Sequence, residues 1–361
     1  MARAYNFFAG PAVLPVPVLE QAQREMLDWE STGTSILETS HRSKEYDALH
    51  NEAIALLKEL LSIPDNYKVL FLQGGASLQF AMVPMNLLPK DATADYIHTG
   101  TWSKKAIAEA KLFGNVNTAF DGETVKRTRV PRPEELKLTP GARYVHLTTN
   151  NTIEGTQFFS IPDTHGVPIV SDMSSDFLWR PFDVKPFGLI YAGAQKNCGP
   201  AGVTIVVIRD DVLAQCREDL PTMLKYATHA KENSLFNTCP CFAIYIVRNV
   251  LRYLKAQGGL GAMEAKNRKK AALIYDTIDA NPSFFRAPVE KASRSVMNIV
   301  FRLPSEELEA KFVAEGKQRR MLGLKGHRSV GGIRISTYNA CPPEAVDAVV
   351  GFMKEFAKAN G

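Results

Sequence analysis

Between residues 45 and 209 the chain alternates two hydrophobic rhythms. "EYDALHNEAIALLKELLS" (45–62) carries apolar residues three and four apart, which predicts a helix ending before Pro64. "KVLFLQ" (68–73) is a strand, followed by "GGAS" and then the helical "LQFAMVPMNLL". "ADYIHTG" (94–100) predicts a strand that leads into the helix "TWSKKAIAEAKLF". "RYVHLTTNN" (143–151), "VPIVSD" (167–172), "GLIYAGA" (188–194) and "GVTIVVIR" (202–209) are further strands. Strands and helices in turn predict an α/β fold built on an open, mostly parallel sheet.

The texture changes after the helical "CFAIYIVRNVLRYLKAQ" (241–257), where "GGLGA" reads as a hinge. Helix, strand ("SVMNIVFRL", 295–303), helix, strand ("GGIRIST", 331–337) and a last helix from Pro342 predict a smaller α+β domain. The expected organisation is an N-terminal arm (1–15), a large domain (16–257) and a small C-terminal domain (258–361).

Composition narrows the function. The 361 residues are 45% hydrophobic and 22% charged, ordinary for a globular chain with real cores. A formal charge of +5 is small, and "NRKK" (267–270) and "KQRR" (317–320) sit in helical patterns with acids nearby. They read as solvated helix faces, so no nucleic-acid partner is expected. No stretch reaches the ~18 unbroken apolar residues of a membrane span. Gly10, Pro11, Pro15 and Pro17 break the apolar N-terminus, making it a poor signal peptide. The five cysteines show no framework spacing, and "CPC" (239–241) lacks the second pair a zinc site requires. A cytoplasmic, reduced, metal-free protein is expected.

One lysine stands out. In "AGAQKNCGPAGVTIVVIR" (192–209), Lys196 lies among Gly193, Ala194, Gly199, Ala201 and Gly202, as though room had been cleared for a flat group. The bland reading is an exposed loop lysine. Ligands of open α/β sheets gather at the carboxyl ends of strands, and those ends supply more. "GGAS" (74–77) opens a helix whose N–H groups suit a phosphate, although Gly-Gly turns there are common. Trp102 follows a strand and could stack on a ring, or simply pack. Asp172 ends the run "VPIV", either as a turn or cap aspartate or as a partner for a cation. Together these are the parts that pyridoxal phosphate (PLP) needs: a lysine for its aldehyde, an acid for its ring nitrogen and a cradle for its phosphate. An anion about 4 Å from that nitrogen contributes roughly 4 kcal/mol at an effective dielectric near 20, enough to hold the ring protonated.

The motifs that bear on this are "NFFAGPAVLP" (6–15), "SHRSKEY" (40–46), "FLQGGAS" (71–77), "TGTWSKKA" (99–106), "NNTIEGTQF" (150–158), "SDMSSDF" (171–177), "AGAQKNCGPAG" (192–202), "NTCP" (237–240) and "GHRSVGGIRIS" (326–336). In this order, nearly end to end, the sequence resembles the phosphoserine aminotransferases, class-V PLP enzymes of the aspartate-aminotransferase fold (fold type I). The resemblance implies that Lys196 forms the Schiff base, Asp172 partners the pyridine nitrogen and Trp102 is the stacking plate. It places Thr152 at the ring hydroxyl. Ala76, Ser77 and Gln195 are implied to hold the cofactor phosphate, joined by Asn237 and Thr238 from a second subunit of a homodimer. Some relatives carry arginine where this chain has Ser77, so that charge must come from elsewhere.

The implied substrates are L-glutamate and 3-phosphonooxypyruvate, giving 2-oxoglutarate and O-phospho-L-serine by ping-pong transamination. A phosphorylated hydroxythreonine of vitamin B6 synthesis is a further candidate. One pocket must then accept a phosphate or a carboxylate, which suits arginine. Arg42 of the first "HRS", with His41 beside it, and His327 with Arg328 of the second are the candidates; Arg334 resembles the clamp for the α-carboxylate. Against this stand a transaminase for another small amino acid, a Schiff-base aldolase, and a non-enzymatic basic binding protein. The paired arginines argue against the first, Asp172 and Trp102 against the second, and the scattered charge against the third.

Overall fold

The computed structural model describes residues 3–361. In chain order its strands are β1 (Tyr5–Asn6), β2 (Tyr67–Leu72), β3 (Thr93–His98), β4 (Asn115–Asp121), β5 (Val145–Thr148), β6 (Ile169–Asp172), β7 (Phe187–Gly193), β8 (Thr204–Arg209), β9 (Asn298–Phe301), β10 (Met321–Leu322) and β11 (Ile333–Ser336). Its helices are α1 (Val16–Arg24), α2 (Lys44–Leu61), α3 (Gly75–Leu87), α4 (Thr101–Ala110), α5 (Asp210–Leu213), α6 (Tyr226–Lys231), α7 (Cys241–Ala256), α8 (Gly259–Ala280), α9 (Glu306–Gln318) and α10 (Pro343–Asn360).

The central sheet runs β2-β8-β7-β6-β5-β3-β4. Strand β8 is antiparallel to both neighbours and every other pairing is parallel. All strands except β8 therefore end at one edge. Strands β6 and β7 are buried at every position, as expected where helices cover both faces. Alternation across the pleat sorts their side chains. Leu147, Ile169, Ile190 and Val207 join Leu57 of α2 and Val247 of α7 on one face. Tyr96, Val170, Tyr191 and Val206 join Phe80 of α3 and Ile107 of α4 on the other.

Helix α2 shows why these segments fold locally. Ser43 accepts a hydrogen bond from the Tyr46 amide, Glu45 and Asp47 sit in the first turn, and Lys58 sits in the last. Each complements the helix dipole or its unpaired groups. Ser62 ends it in the left-handed region. No helix among the described residues is long and apolar enough to cross a membrane.

A separate core gathers Ile278 of α8, Ile299 of β9, Phe312 of α9, Ile335 of β11 and Phe352 of α10. Helix α8 serves both cores, since its Leu260 and Met263 belong to the first cluster and Ala271 and Ile274 to the second. The expected hinge "GGLGA" is a tight turn: Gly258 and Gly259 have φ of 94° and 73°, and α8 starts at once. The N-terminal stretch is stitched down. β1 pairs in parallel with β10, and Phe7 is fully buried in the second core. The sequence reading passed over β4, a polar edge strand with only Ala119 and Phe120 buried.

Candidate active site

Residues from five connections meet where the parallel strands end. Gly74–Ser77 follow β2, Thr101 and Trp102 follow β3, Thr149–Thr152 follow β5, Asp172 ends β6, and Lys196 follows β7. Lys196 lies in the loop joining β7 to antiparallel β8, pinned where the Ala194 amide donates to Val203 O (3.1 Å) and the Gly199 amide to Ala194 O (2.8 Å). It is not an exposed loop lysine. Its ammonium stands 5.1 Å from the centre of the Trp102 ring. Burial, with repulsion from Arg334 behind it, holds its pKa below the ordinary lysine value against the pull of Asp172 and Asp176.

The glycines around Lys196 have packing work of their own. A Cβ on Gly199 would come within 2.6 Å of Val247 in α7, and one on Gly193 within 2.8 Å of the Gln195 side chain. Gly202 has φ of +113°. These glycines let α7 and the loop backbone close up. The glycine that does face Lys196 is Gly10, where a Cβ would stand 3.3 Å from Lys196 Cγ. The N-terminal segment is held there because the Ala12 amide donates to Gln195 O (2.8 Å) and the Tyr338 hydroxyl to Ala9 O (2.7 Å).

Asp172 is buried, and its Oδ1 accepts from the Ser174 amide (2.9 Å). Ser174 Oγ in turn accepts from the Gly193 amide (3.0 Å), which ties the acid to the strand that leads to Lys196. The turn reading is thus met, and Oδ2 accepts no hydrogen bond from the described residues. The rival acid, Asp176, is saturated. Thr149 Oγ1 donates to its Oδ1 and Gln157 Nε2 to its Oδ2 (3.2 Å). Burial pushes its pKa up to about 7 despite these bonds, and Asp172 adds to the rise.

Trp102 is held from the 151–154 segment. Its Nε1 donates to Thr152 Oγ1 (2.8 Å), so Thr152 orients the indole. Glu154, which the sequence reading passed over, is buried and caps α4. Its Oε1 accepts from the Thr101 amide and hydroxyl (2.8 Å each), with Arg127 Nη1 at 3.2 Å. A carboxylate there meets the positive end of the helix dipole one residue before Trp102. Gly100 makes this possible, because a Cβ would stand 2.6 Å from both Asn151 Oδ1 and Glu154 Oε2. The available signal was a lone acid inside the uncharged, amide-rich "NNTIEGTQF".

Arg334, on β11, donates from Nη1 to Thr152 O (2.9 Å), and its Nε is buried without an acceptor. Nearby, His327 contacts Ser329 Oγ through Nδ1 (2.7 Å). Partial burial lowers the pKa of His327, helped by repulsion from Arg334 and Arg328. Arg328 is exposed. His41 and Arg42 lie just before α2, with His41 Nε2 buried and unpaired and Arg42 exposed. No hydrogen bond or ion pair among the described residues joins them to Arg334, His327 or Lys196. Thr238 sits beside its own chain's β2, where Gln73 Nε2 donates to Thr238 O (3.4 Å) and Asn237 Nδ2 donates to the same oxygen (3.1 Å).

The residues present fit a flat, phosphate-bearing aldehyde with a basic ring nitrogen. Gly74 and Gly75, with φ of 84° and 63°, turn the chain into α3, which has no side-chain cap. The first-turn amides of Ala76 and Ser77 are thus available to an anion. Among the described residues Lys196 has no acceptor, Trp102 offers a ring face, and Asp172 keeps one oxygen unused.

Comparison with known proteins agrees. The family model "Aminotransferase class-V" matches residues 4–349. A phosphoserine aminotransferase of Niallia circulans is 55% identical over 359 residues, covering 99% of each chain. The solved phosphoserine aminotransferase of Bacillus circulans subsp. alkalophilus superposes with a TM-score of 0.98 at 55% identity, covering 99% of both chains. A PLP-bound phosphoserine aminotransferase from Trichomonas vaginalis superposes at 0.93 with 42% identity, covering 98% of this chain and 100% of the other. With the lysine, the acid and the aromatic plate at the strand ends, the chain belongs to the class-V aminotransferases and is a PLP-dependent transaminase.

Proposed function

We propose that this transaminase moves the amino group of L-glutamate to 3-phosphonooxypyruvate, giving O-phospho-L-serine and 2-oxoglutarate. One observation carries the reading: the charges of Arg334 and Arg328 both bear on His327, that of Arg334 also bears on Lys196, and neither arginine pairs with an acid among the described residues. A substrate with a neutral side chain would leave that charge uncompensated. A phosphate dianion or the side-chain carboxylate of glutamate answers it. The relatives named above as phosphoserine aminotransferases support the same choice.

When bound, PLP supplies the electron sink that makes the substrate Cα–H acidic. Lys196 would hold it at the aldehyde and then, as a free amine, carry the proton from Cα. A lowered pKa suits that work, since the base must be unprotonated near neutrality. Asp172 would face the ring nitrogen with its unused oxygen. Trp102, clamped by Thr152 and Glu154, would press one ring face. The first-turn amides of α3 with Gln195 would take the phosphate, and Arg334 the substrate α-carboxylate.

The reading includes a homodimer working in the cytoplasm. A second copy would bring His41 and Arg42 to complete the anion pocket, and Asn237 and Thr238 to complete the phosphate site, supplying the charge that Ser77 lacks. The division at 257/258 belongs to it too, with Lys196 on the large domain and Arg328 and Arg334 on the small one.

The test compares Arg328→Ala with Arg334→Ala. A charge-assisted hydrogen bond contributes about 1.5–3 kcal/mol, so each loss should cost roughly 10- to 150-fold in kcat/KM. Arg328→Ala should penalise 3-phosphonooxypyruvate more than hydroxypyruvate, while Arg334→Ala should penalise all amino and keto acids alike. If Arg328→Ala treats phosphorylated and unphosphorylated substrates equally, the phosphate assignment is wrong and a small-amino-acid transaminase takes its place. The phosphorylated hydroxythreonine belongs in the same assay.

A further inference from the structure

The segment "CPC" (239–241) takes no part in the chemistry above, yet its geometry is that of a reactive pair. Pro240 has φ −74° and ψ 73°, and the Cys241 amide donates to Cys239 O at 2.8 Å. This is an inverse γ-turn, the tightest reversal a chain makes. It sets Cys239 Sγ and Cys241 Sγ 3.9 Å apart. Cys239 is buried against the Tyr46 hydroxyl (3.0 Å), whereas Cys241 is half-buried as the first residue of the 16-residue helix α7. No acid occupies that first turn.

We propose that Cys239 and Cys241 are a site of reversible oxidation, converted by hydrogen peroxide to a disulfide and restored by a dithiol reductant. The Cys241 thiolate attacks one peroxide oxygen: an S–O bond forms, the O–O bond breaks, and hydroxide leaves with the electron pair. Cys239 sulfur then attacks Cys241 sulfur. The S–S bond forms as the S–O bond breaks, and the Cys239 proton converts the departing hydroxide to water. Two thiols and one peroxide give one disulfide and two waters. The sulfurs need close only from 3.9 Å to about 2.04 Å, a motion within reach of side-chain rotation.

Selectivity follows from the thiolate requirement. The contact with Cys239 holds the Cys241 thiol below its ordinary value, while burial pushes Cys198 and Cys216 up to about 12 and Cys341 to about 11. Of these thiols Cys241 is the most readily ionised, and its partner 3.9 Å away stands ready to resolve the oxidised sulfur. Closing the bond draws Cys239 off Tyr46 and strains the adjoining Asn237–Thr238 pair. That this weakens cofactor binding rests on the phosphate role proposed for those two residues.

The experiment titrates the holoenzyme with hydrogen peroxide at neutral pH and maps the products by mass spectrometry. The expected result is loss of two hydrogen masses from the peptide holding Cys239 and Cys241, reversed by dithiothreitol. Cys241→Ser should abolish the change, and Cys239→Ala should stop at one added oxygen on Cys241. Oxidation that falls first on Cys198, Cys216 or Cys341, or that carries Cys241 to the sulfinic acid in the unaltered chain, overturns the proposal. A disulfide that forms and weakens PLP affinity several-fold supports both readings. A disulfide that forms with unchanged PLP affinity supports the thiol pair and overturns the phosphate role of Asn237 and Thr238.

Discussion

Lys270, on α8, donates to three backbone carbonyls, those of Thr337 (2.9 Å), Tyr338 (2.7 Å) and Cys341 (3.1 Å). Lys196 has no acceptor among the described residues and stands over an indole ring. Burial lowers both, Lys270 to about 8. What separates them is saturation. The Lys270 proton holds together the turn after β11, so removing it breaks structure. The Lys196 proton holds nothing, so it can be given and taken. The two acids repeat the contrast: Asp176 has both oxygens engaged and Asp172 has one to spare. A buried charge with a full set of partners serves the fold, and one with a vacancy serves the ligand.

The contrast breaks first at Lys196. Lys196→Ala should cost about 10⁴-fold in kcat, the upper end for a general base, with thermal stability of the apoprotein within a few degrees of the parent. Turnover retained at more than a few per cent without an added amine would remove Lys196 from the chemistry. Lys270→Met should do the opposite. Leaving three carbonyls without their donor costs about 3 kcal/mol, seen as a lower denaturation midpoint, while kcat of the folded holoenzyme stays within about threefold. If kcat collapses while stability holds, saturation does not mark a structural role.

The smallest effect sharpens the comparison at the acids. Asp176 has its pKa raised from 3.8 to about 7, so the folded chain takes up a proton there that the unfolded chain lacks. Its contribution is fullest below about pH 4, and stability falls as pH rises through about 7. Asp176→Asn should flatten that slope, leaving the variant the more stable of the two above pH 7, with transamination largely kept. Denaturant midpoints at several pH values report it. An unchanged slope would mean that Asp176 titrates as an ordinary carboxylate, and loss of transamination would move the nitrogen partner from Asp172 to Asp176.

Much of this was legible along the chain. Rhythm located the strands, and strand ends located Lys196, Asp172 and Trp102, because a parallel sheet delivers its carboxyl ends to one edge whatever the loops do. Less legible was what each small residue is for. Gly193, Gly199 and Gly202 looked like clearance around Lys196, yet they answer to Gln195, α7 and the backbone, while Gly10, 186 positions earlier (196 − 10), is the glycine at its side chain. Strand β4 escaped because an edge strand with a mostly wet face has no apolar run to betray it.

Glu154 marks the limit. Along the sequence it is one acid in a loop, and nothing local says that it will cap α4, whose first residue lies 53 positions away. Residue type and spacing determined the fold class and placed Lys196, Asp172 and Trp102 at strand ends, because those depend on periodic burial and on which side chain follows a strand, while the ordered motifs carried the resemblance to the family. Only the tertiary structure decided which charges are saturated, which glycine is crowded and which acid steadies the indole. Those depend on distances between segments far apart in the chain, and a hydrogen bond is made or lost within a few tenths of an ångström.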